Sequence, residues 1–195
     1  MLKTRLKKYD VVLASASPRR KQLLQEMDIE FTVYPKHVEE IIPFGLNPKE
    51  VAEYLSKLKA EAFSEKEIKA NSLIITADTV VTLDGKILGK PVNRDDAFNI
   101  LKNLSNKSHE VITGVTIRSA SKQLTFSVST EVHFKPLTDK EIEYYIDQFK
   151  PYDKAGAYGI QEWIGHVAIE WIKGSYFNVM GLPTHRLYIE LLRFI

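Results

Sequence analysis

Short apolar runs alternate with helix-like stretches along this chain, and no other feature constrains its fold as strongly. Val11 to Ala14 has the continuous apolar character of a buried strand. Ser17-Pro18 follows as a helix N-cap with proline at the first helical position, and we expect that helix to end at about Met27. Strands and helices that alternate in this way predict an α/β fold, in which helices flank a sheet.

Capping and turn signals predict where further elements begin. Helices are predicted from Asn47-Pro48 to about Glu67, from the cap residue Asn93, from the capping box Thr138-x-x-Glu141 to about Phe149, and from Pro183 to about Leu192. Other strands are predicted at 31–34, 110–119, 124–134 and 166–172.

A hairpin is predicted around Asp84-Gly85, which has the sequence of a tight two-residue turn. Residues 79–83 and 86–88 would be its two strands. The apolar run from Ser72 to Ala77 is expected to be a separate strand that presents Asp78 at its C-terminal end. Because hairpins are antiparallel, the sheet as a whole is expected to be mixed.

The composition narrows the class of protein. A chain of 195 residues suffices for a single domain with a core that needs no disulfide or structural metal. The absence of cysteine excludes a disulfide framework and thiolate chemistry, and a net charge of +2 gives no argument for nucleic acid as a partner. No signal-peptide stretch is present and no apolar run approaches the ~20 residues of a membrane span, so we expect a cytoplasmic protein with no membrane partner.

The segment from Ser15 to Arg20 is the first candidate site, because it joins a predicted strand to a predicted helix. Backbone N–H groups at a helix N-terminus bind anions. The hydroxyls of Ser15 and Ser17 and the guanidinium groups of Arg19 and Arg20 add donors suited to a polyphosphate. The alternative is an ordinary cap followed by solvated arginines. No Gly-x-x-x-x-Gly-Lys motif precedes the segment, so it is not a Walker A loop.

Two acidic residues are candidates for binding a cation. Asp78 follows apolar strand residues, where a carboxylate needs a partner, and it could hold a divalent cation or orient a water. Glu40, in Val38-Glu39-Glu40, could supply a second oxygen ligand. The alternatives are a turn-completing aspartate and a solvated acidic loop. Lys90, before Pro91, could neutralise phosphate charge or could simply be solvated.

The segment from Lys154 to Gln161 is rich in small residues, which let a ligand or another backbone approach closely. The amide of Gln161 could pair with the imide edge of uracil or thymine, or it could lie on the surface of a tight loop. His109 could contact phosphate or be structural. The histidines lack zinc-helix spacing, and Trp163 and Trp171 are expected in the core or in a dimer contact.

Taken in order, these segments resemble the Maf family of nucleotide pyrophosphatases over roughly residues 10–193. The most specific parts are Ser15-x-Ser17-Pro18-Arg19-Arg20 and Ala155-Gly156-Ala157-Tyr158-Gly159-Ile160-Gln161. The resemblance is also carried by Val38-Glu39-Glu40, Lys59-Ala60, Ala77-Asp78-Thr79-Val80-Val81, Gly89-Lys90-Pro91, the segment His109 to Val115, and the segment Gly174 to Pro183.

The resemblance implies an elongated α/β fold of the inosine-triphosphatase-like kind, with a mixed sheet and flanking helices in two lobes around a cleft. It implies a homodimer and cleavage of a nucleoside triphosphate between its α- and β-phosphates, with Mg²⁺ or Mn²⁺ as the cation. The Tyr-Gly-Ile-Gln form of the loop at 158–161 is similar to the branch that acts on dTTP and UTP rather than on 7-methyl-GTP.

Individual residues take their expected roles from the same resemblance. Asp78 matches the catalytic proton acceptor. Glu40, Lys59 and Lys90 match residues around the metal and the phosphates. The substrate-selecting positions match Arg19, Thr79 and Gln161.

One departure from the family pattern follows the base-reading position. Glu162-Trp163 stands where a glycine and small residues are expected, and an acid beside Gln161 could shift substrate preference. Two other functions remain open: a purine-directed pyrophosphatase acting on inosine triphosphate, and a non-enzymatic nucleotide-binding regulator of septum formation. The acidic pair Glu40 and Asp78 argues against the regulator, because binding alone needs no water-activating carboxylate.

Overall fold

The apolar runs form the strands of a seven-stranded sheet flanked by helices in the computed structural model, which describes residues 1–195. Its helices are α1 (Leu2–Leu6), α2 (Pro18–Glu26), α3 (Pro48–Glu61), α4 (Arg94–Leu104), α5 (Asp139–Phe149), α6 (Trp163–Ala168), α7 (Tyr176–Met180) and α8 (Thr184–Phe194). Its strands are β1 (Asp10–Leu13), β2 (Thr32–Val33), β3 (Ser72–Leu83), β4 (Lys86–Leu88), β5 (Ser108–Arg118), β6 (Gln123–Phe134) and β7 (Ile169–Lys173).

The strand order is β2-β1-β3-β5-β6-β7, and β4 pairs with β3 beside this path. Strand β1 is parallel to β2 and to β3, whereas β4 is antiparallel to β3 and β7 is antiparallel to β6. The predicted α/β fold with a mixed sheet is therefore confirmed. No helix has both the length and the apolar character that crossing a membrane requires.

Helix starts follow the predicted caps. The Ser17 hydroxyl accepts from the N–H of Arg20 at 3.4 Å, and Asn93 caps α4 in the same way. Asn47 and Thr138 each form a reciprocal capping box with the glutamate three residues later. Such a cap contributes about 1 kcal/mol to helix stability, so these side chains fix where the helices begin.

The chain divides into two compact units. The first comprises Met1–Asp78, Thr113–Val128 and Gly181–Ile195. Within it, α3 lies so close to β5 that a Cβ on Gly114 would overlap the carbonyl group of Ala52. A cluster of buried residues, Ala14, Phe63, Ile68 and Ile74, forms part of its core.

The second unit comprises Thr79–Ile112 and Ser129–Met180. Helices α4 and α5 contact each other within it. Helix α5 buries Ile142, Tyr145 and Ile146, whose spacing places them on one face. Gly156 lies against Val81 with a φ of 70°, a conformation that glycine adopts without strain.

Several predicted boundaries are wrong. Residues 72–83 form one continuous strand, so Asp78 lies inside β3 rather than at a strand end. The first part of β3 pairs with β1 and the last part with β4, and these two partners explain why it does not break at the acid. The hairpin turn at Asp84-Gly85 is confirmed, with φ values of 51° and 76°.

Helix α3 ends at Glu61 rather than near Glu67, because the hydroxyl and N–H of Ser64 both donate to the Glu67 carboxylate and close a turn there. The strand predicted at 166–172 begins only at Ile169. Residues 163–168 are helical instead, since Ile164 and Ala168 are both buried at helical spacing. Helices α1 and α7 were not predicted.

Candidate active site

Lys59 forms ion pairs with two carboxylates in the first unit. Its Nζ lies 2.9 Å from Oε1 of Glu40 and donates a hydrogen bond to Oδ1 of Asp78. The side chains of Lys59 and Asp78 are mostly buried, at 17% and 15% exposure, whereas Glu40 is about half exposed. Glu40 and Asp78 are far apart in the sequence, but both carboxylates contact the same ammonium group.

The local structure explains this convergence. The parallel register between β1 and β3 ends at Leu13 and Ile75, so Asp78 lies just beyond the point where β1 leaves the sheet. Lys59 is in the last turn of α3, and Glu40 belongs to the irregular segment between β2 and α3. A carboxylate inside a strand is tolerated here because the lysine offsets its charge.

The turn between β1 and α2 brings the predicted phosphate donors together. Ser15 is buried, and its hydroxyl accepts hydrogen bonds from the N–H of Ser17 and from Nη1 of Arg20, both at 3.3 Å. The Nε of Arg20 also donates to the carbonyl oxygen of Gly181 at 2.8 Å. Arg20 is thus held in one orientation by side-chain and backbone acceptors.

Electrostatic interactions connect this turn with the acidic pair. Burial lowers the pKa of Arg20, while the charges of Asp78 and Glu40 act to raise it and that of Arg19 acts to lower it. A guanidinium group nevertheless stays charged at neutral pH. The structure therefore brings Arg20 near the two proposed metal ligands, and Arg19 beside it in the sequence is partly exposed.

The donor set suits a hard divalent cation. Glu40 and Asp78 offer carboxylate oxygens, which Mg²⁺ and Mn²⁺ prefer. No group of three or more histidine, cysteine or acidic side chains is arranged to hold a metal alone. An ion here would need further oxygens from phosphate and water, which is the usual arrangement for Mg²⁺ on a polyphosphate.

In the second unit, Gln161 follows a tightly folded segment. Its Oε1 is buried and has no hydrogen-bond partner. A Cβ on Gly159 would lie 3.0 Å from Nε2 of Gln161 and 2.9 Å from Cδ of Glu162, so the segment folds back on itself at this glycine. Thr79 is partly exposed and Lys90 is exposed.

Glu162, the departure from the family pattern, is held by two partners. Lys154 is buried, and its Nζ lies 3.1 Å from Oε1 of Glu162 and 2.7 Å from Oδ1 of Asp153. The Tyr145 hydroxyl donates to the Glu162 carboxylate and accepts from the N–H of Gly159 at 3.1 Å. Burial and the neighbouring carboxylate raise the pKa of Tyr145, which therefore stays a neutral donor.

Tyr145 was not singled out from the sequence. From the sequence, Tyr145 belongs to the apolar face of α5 and shows no special role. The partner of its hydroxyl, Glu162, comes 17 residues later in the chain. Lys154 was noted only as part of a motif. No signal in the sequence alone pairs either residue with Glu162.

His109 is structural. It is 3% exposed, and its Nε2 shares a 2.8 Å hydrogen bond with the Tyr158 hydroxyl. Burial lowers the pKa of His109 to about 3, with a smaller contribution from His133. A neutral, buried imidazole offers little attraction for phosphate.

The tryptophans were expected in the core or in a dimer contact, and the core position is wrong for Trp171. Trp171 is 43% exposed and stacks on the ring of His133, with ring centres 5.1 Å apart. Trp163 is partly exposed and packs edge-on against Tyr144. Trp171 is on β7, at the end of the strand order, where only one neighbouring strand covers it.

Comparison with known proteins identifies the family to which this sequence is similar. The model of the Maf-like protein family matches residues 10–194. A dTTP/UTP pyrophosphatase of Porphyromonas gingivalis is 52% identical over 188 residues, covering 95% of this chain and 94% of the relative. A dTTP/UTP pyrophosphatase of Flavobacterium johnsoniae is 50% identical over 188 residues, covering 96% of each chain. The Ham1 protein of Staphylococcus aureus, a solved structure, shows a partial likeness at 16% identity and a TM-score of 0.44, covering 64% of this chain and 71% of that one.

Proposed function

The chain belongs to the Maf-like protein family, and we propose that it is a pyrophosphatase that hydrolyses dTTP and UTP to the nucleoside monophosphate and pyrophosphate. Relatives that carry the name dTTP/UTP pyrophosphatase align with almost all of the chain at 50–52% sequence identity, which supports this reaction. We take residues 1–195 to be one nucleotide pyrophosphatase domain.

The observation that carries the proposal is the pair of carboxylates on Lys59, near the turn from Ser15 to Arg20. Hydrolysis of a phosphoanhydride needs a proton acceptor for water and positive groups for the charge that develops on the phosphates. Asp78 supplies the proton acceptor, and Glu40 lies beside it on the same lysine. Lys59 and Arg20 supply the positive groups, and the hydroxyls of Ser15 and Ser17 lie in the same turn as Arg20.

In the proposed reaction, the oxygen of a water molecule attacks the α-phosphorus. The bond between the α-phosphorus and the bridging oxygen breaks, and pyrophosphate leaves with the electron pair of that bond. Asp78 takes the proton of the water. Glu40 and Asp78 would hold a divalent cation, Mg²⁺ or Mn²⁺, which would neutralise charge on the phosphates.

The remaining residues bind and orient the substrate. Lys59, Arg19, Arg20 and Lys90 offset phosphate charge, with Ser15 and Ser17 as hydroxyl donors. Gln161 and Thr79 read the base, together with Arg19 as a selecting residue. The unpartnered Oε1 of Gln161 supports this role, because a buried acceptor without a donor is costly until a ligand supplies one. We further propose a cytoplasmic homodimer, which sedimentation of the purified chain would test.

The test is a substrate panel of dTTP, UTP, CTP, ITP and 7-methyl-GTP with Mg²⁺ or Mn²⁺ in ¹⁸O-labelled water. We expect selective release of pyrophosphate from dTTP and UTP, with the label in the monophosphate. Release of inorganic phosphate instead, or label in pyrophosphate, would overturn the reaction as written. Turnover of ITP or 7-methyl-GTP would overturn the substrate assignment, and nucleotide binding without turnover would favour a regulator.

A further inference from the structure

The amide of a glutamine can present either of two patterns to a pyrimidine. With Oε1 facing N3 and Nε2 facing O4, it pairs with the imide edge of uracil or thymine. Rotated by half a turn, the same amide donates to N3 of cytosine and accepts from its amino group. A glutamine therefore distinguishes UTP from CTP only if another group fixes which way the amide faces.

The carboxylate of Glu162 and the amide of Gln161 both lie next to Gly159. Oε1 of Glu162 and Nε2 of Gln161 both lie about 3 Å from the point that a Cβ on Gly159 would occupy, at 3.1 Å and 3.0 Å. A carboxylate attracts an amide NH₂ group and repels an amide oxygen, so it favours the rotamer that turns Nε2 towards Glu162. The oxygen then faces away, and Oε1 of Gln161 is the buried acceptor that has no partner in the protein.

The surroundings keep the carboxylate in place. Tyr145 is fully buried, and its hydroxyl hydrogen-bonds to both the Glu162 carboxylate and the N–H of Gly159. One phenol therefore contacts both ends of the segment from Gly159 to Glu162, which contains Gln161. Buried Lys154 holds the other side of the carboxylate. Helix α6 closes behind the segment, because a Cβ on Gly165 would overlap the carbonyl group of Ile160.

We propose that Glu162, held by Tyr145 and Lys154, is a positioning residue that orients the Gln161 amide and thereby favours uracil and thymine over cytosine. This inference rests on the proposed function, since it assigns the discrimination between pyrimidines to that same site. Its basis is the arrangement of Gly159, Gln161 and Glu162 together with the orphaned oxygen.

The test measures binding rather than turnover, so that it does not depend on catalysis. The probes are the non-hydrolysable α,β-imido analogues of UTP and CTP, titrated by calorimetry with Mg²⁺ into wild type and Glu162→Gln. The glutamine keeps groups that can bond to Tyr145 and Lys154 but removes the charge. Glu170→Gln, on the exposed β7, is the matched control for loss of one carboxylate.

We expect wild type to bind the UTP analogue at least about tenfold more tightly than the CTP analogue, because an amide fixed for uracil is mismatched with both N3 and the amino group of cytosine. In Glu162→Gln this ratio should fall to about threefold or less, with Glu170→Gln unchanged. Tyr145→Phe removes a hydrogen bond to the Glu162 carboxylate but keeps its charge, so it should give an intermediate ratio of the two affinities. This variant takes the place of Glu162→Gln if Glu162→Gln does not fold.

Three results would overturn the inference. One is a ratio in Glu162→Gln, and in Tyr145→Phe, equal to that of wild type. Another is an equal fall in the Glu170→Gln control. A wild type that binds both analogues without preference also contradicts it. Failure of the proposed function is seen separately, as an absence of pyrophosphate release from dTTP and UTP by a wild type that still binds the analogues.

Discussion

The ammonium group of Lys59 donates a hydrogen bond to the carboxylate of Asp78, so the proposed proton acceptor is ion-paired within the protein. The same lysine lies 2.9 Å from Glu40. An ion pair between mostly buried side chains holds the acid in a fixed place, and it puts a positive charge where the phosphates of a substrate would bring negative charge.

Replacing Lys59 by methionine should therefore lower kcat by about 10²–10³-fold, because it removes a fixed charge from the transition state. Steady-state turnover of UTP measures the effect. Lys57→Met is the matched control on the same helix, since Lys57 is exposed and makes only a 3.7 Å pair with Glu61. Equal activities of the two variants would remove Lys59 from the mechanism.

Glu40→Gln should raise the Mg²⁺ concentration needed for half-maximal activity, by roughly tenfold or more, because a neutral amide is a weaker ligand for a hard cation. Metal titrations of turnover show this shift directly. The neighbouring, exposed Glu39→Gln provides the control. If both variants kept the wild-type metal dependence, Glu40 would not be a metal ligand.

Gly114→Ala should destabilise the first unit by about 2–3 kcal/mol, since the added methyl group meets the backbone of Ala52, which cannot move aside as a flexible side chain would. Denaturant unfolding measures the loss. Gly89→Ala is the control, because a Cβ there would meet nothing within 4 Å. A Gly114→Ala variant as stable as this control would contradict the close approach of α3 and β5.

The free energy of unfolding should depend on pH through His109. Its pKa is about 3 in the folded chain and about 6.5 in the unfolded chain, so only the unfolded state binds its proton between these values. This histidine therefore makes the protein less stable as pH falls from about 6.5 towards 3, by up to ~1.4 kcal/mol per pH unit, and has no effect above that window.

Unfolding of His109→Gln and of wild type, compared between pH 7 and pH 4.5, measures this contribution. The variant should lose less stability than wild type on acidification. His166→Gln, at an exposed position, should behave as wild type does. An identical pH dependence in His109→Gln and wild type would show that the imidazole takes up its proton without unfolding.

The fold was predictable where local chemistry decides it. Caps at Ser17, Asn47, Asn93 and Thr138 and the turn at Asp84-Gly85 lie where the sequence places them, because each depends on residues within one turn. Strand β3 was misread because two different partners sustain it past Asp78, and pairing of distant segments leaves no local signal.

The candidate residues of the site could be named from the sequence, whereas the contacts between them could not. The motifs identify Glu40, Lys59 and Asp78, but the shared ion pair depends on where α3 and the irregular segment before it lie on the sheet. The Tyr145–Glu162 contact joins a helix to a loop and could not be read from either alone. The part of the site that the sequence leaves open is therefore the set of groups that hold the motif residues in position.

The central claim is that Asp78 accepts the proton of the attacking water. The most direct test measures pyrophosphate release from dTTP and UTP by the Asp78→Asn variant. Wild type and Asp84→Asn, a substitution in an exposed turn, are the controls. The account predicts that Asp78→Asn retains the fold and loses about 10²–10⁴-fold in kcat, with Asp84→Asn unchanged. A folded Asp78→Asn enzyme that turns over dTTP and UTP at the wild-type rate would contradict it.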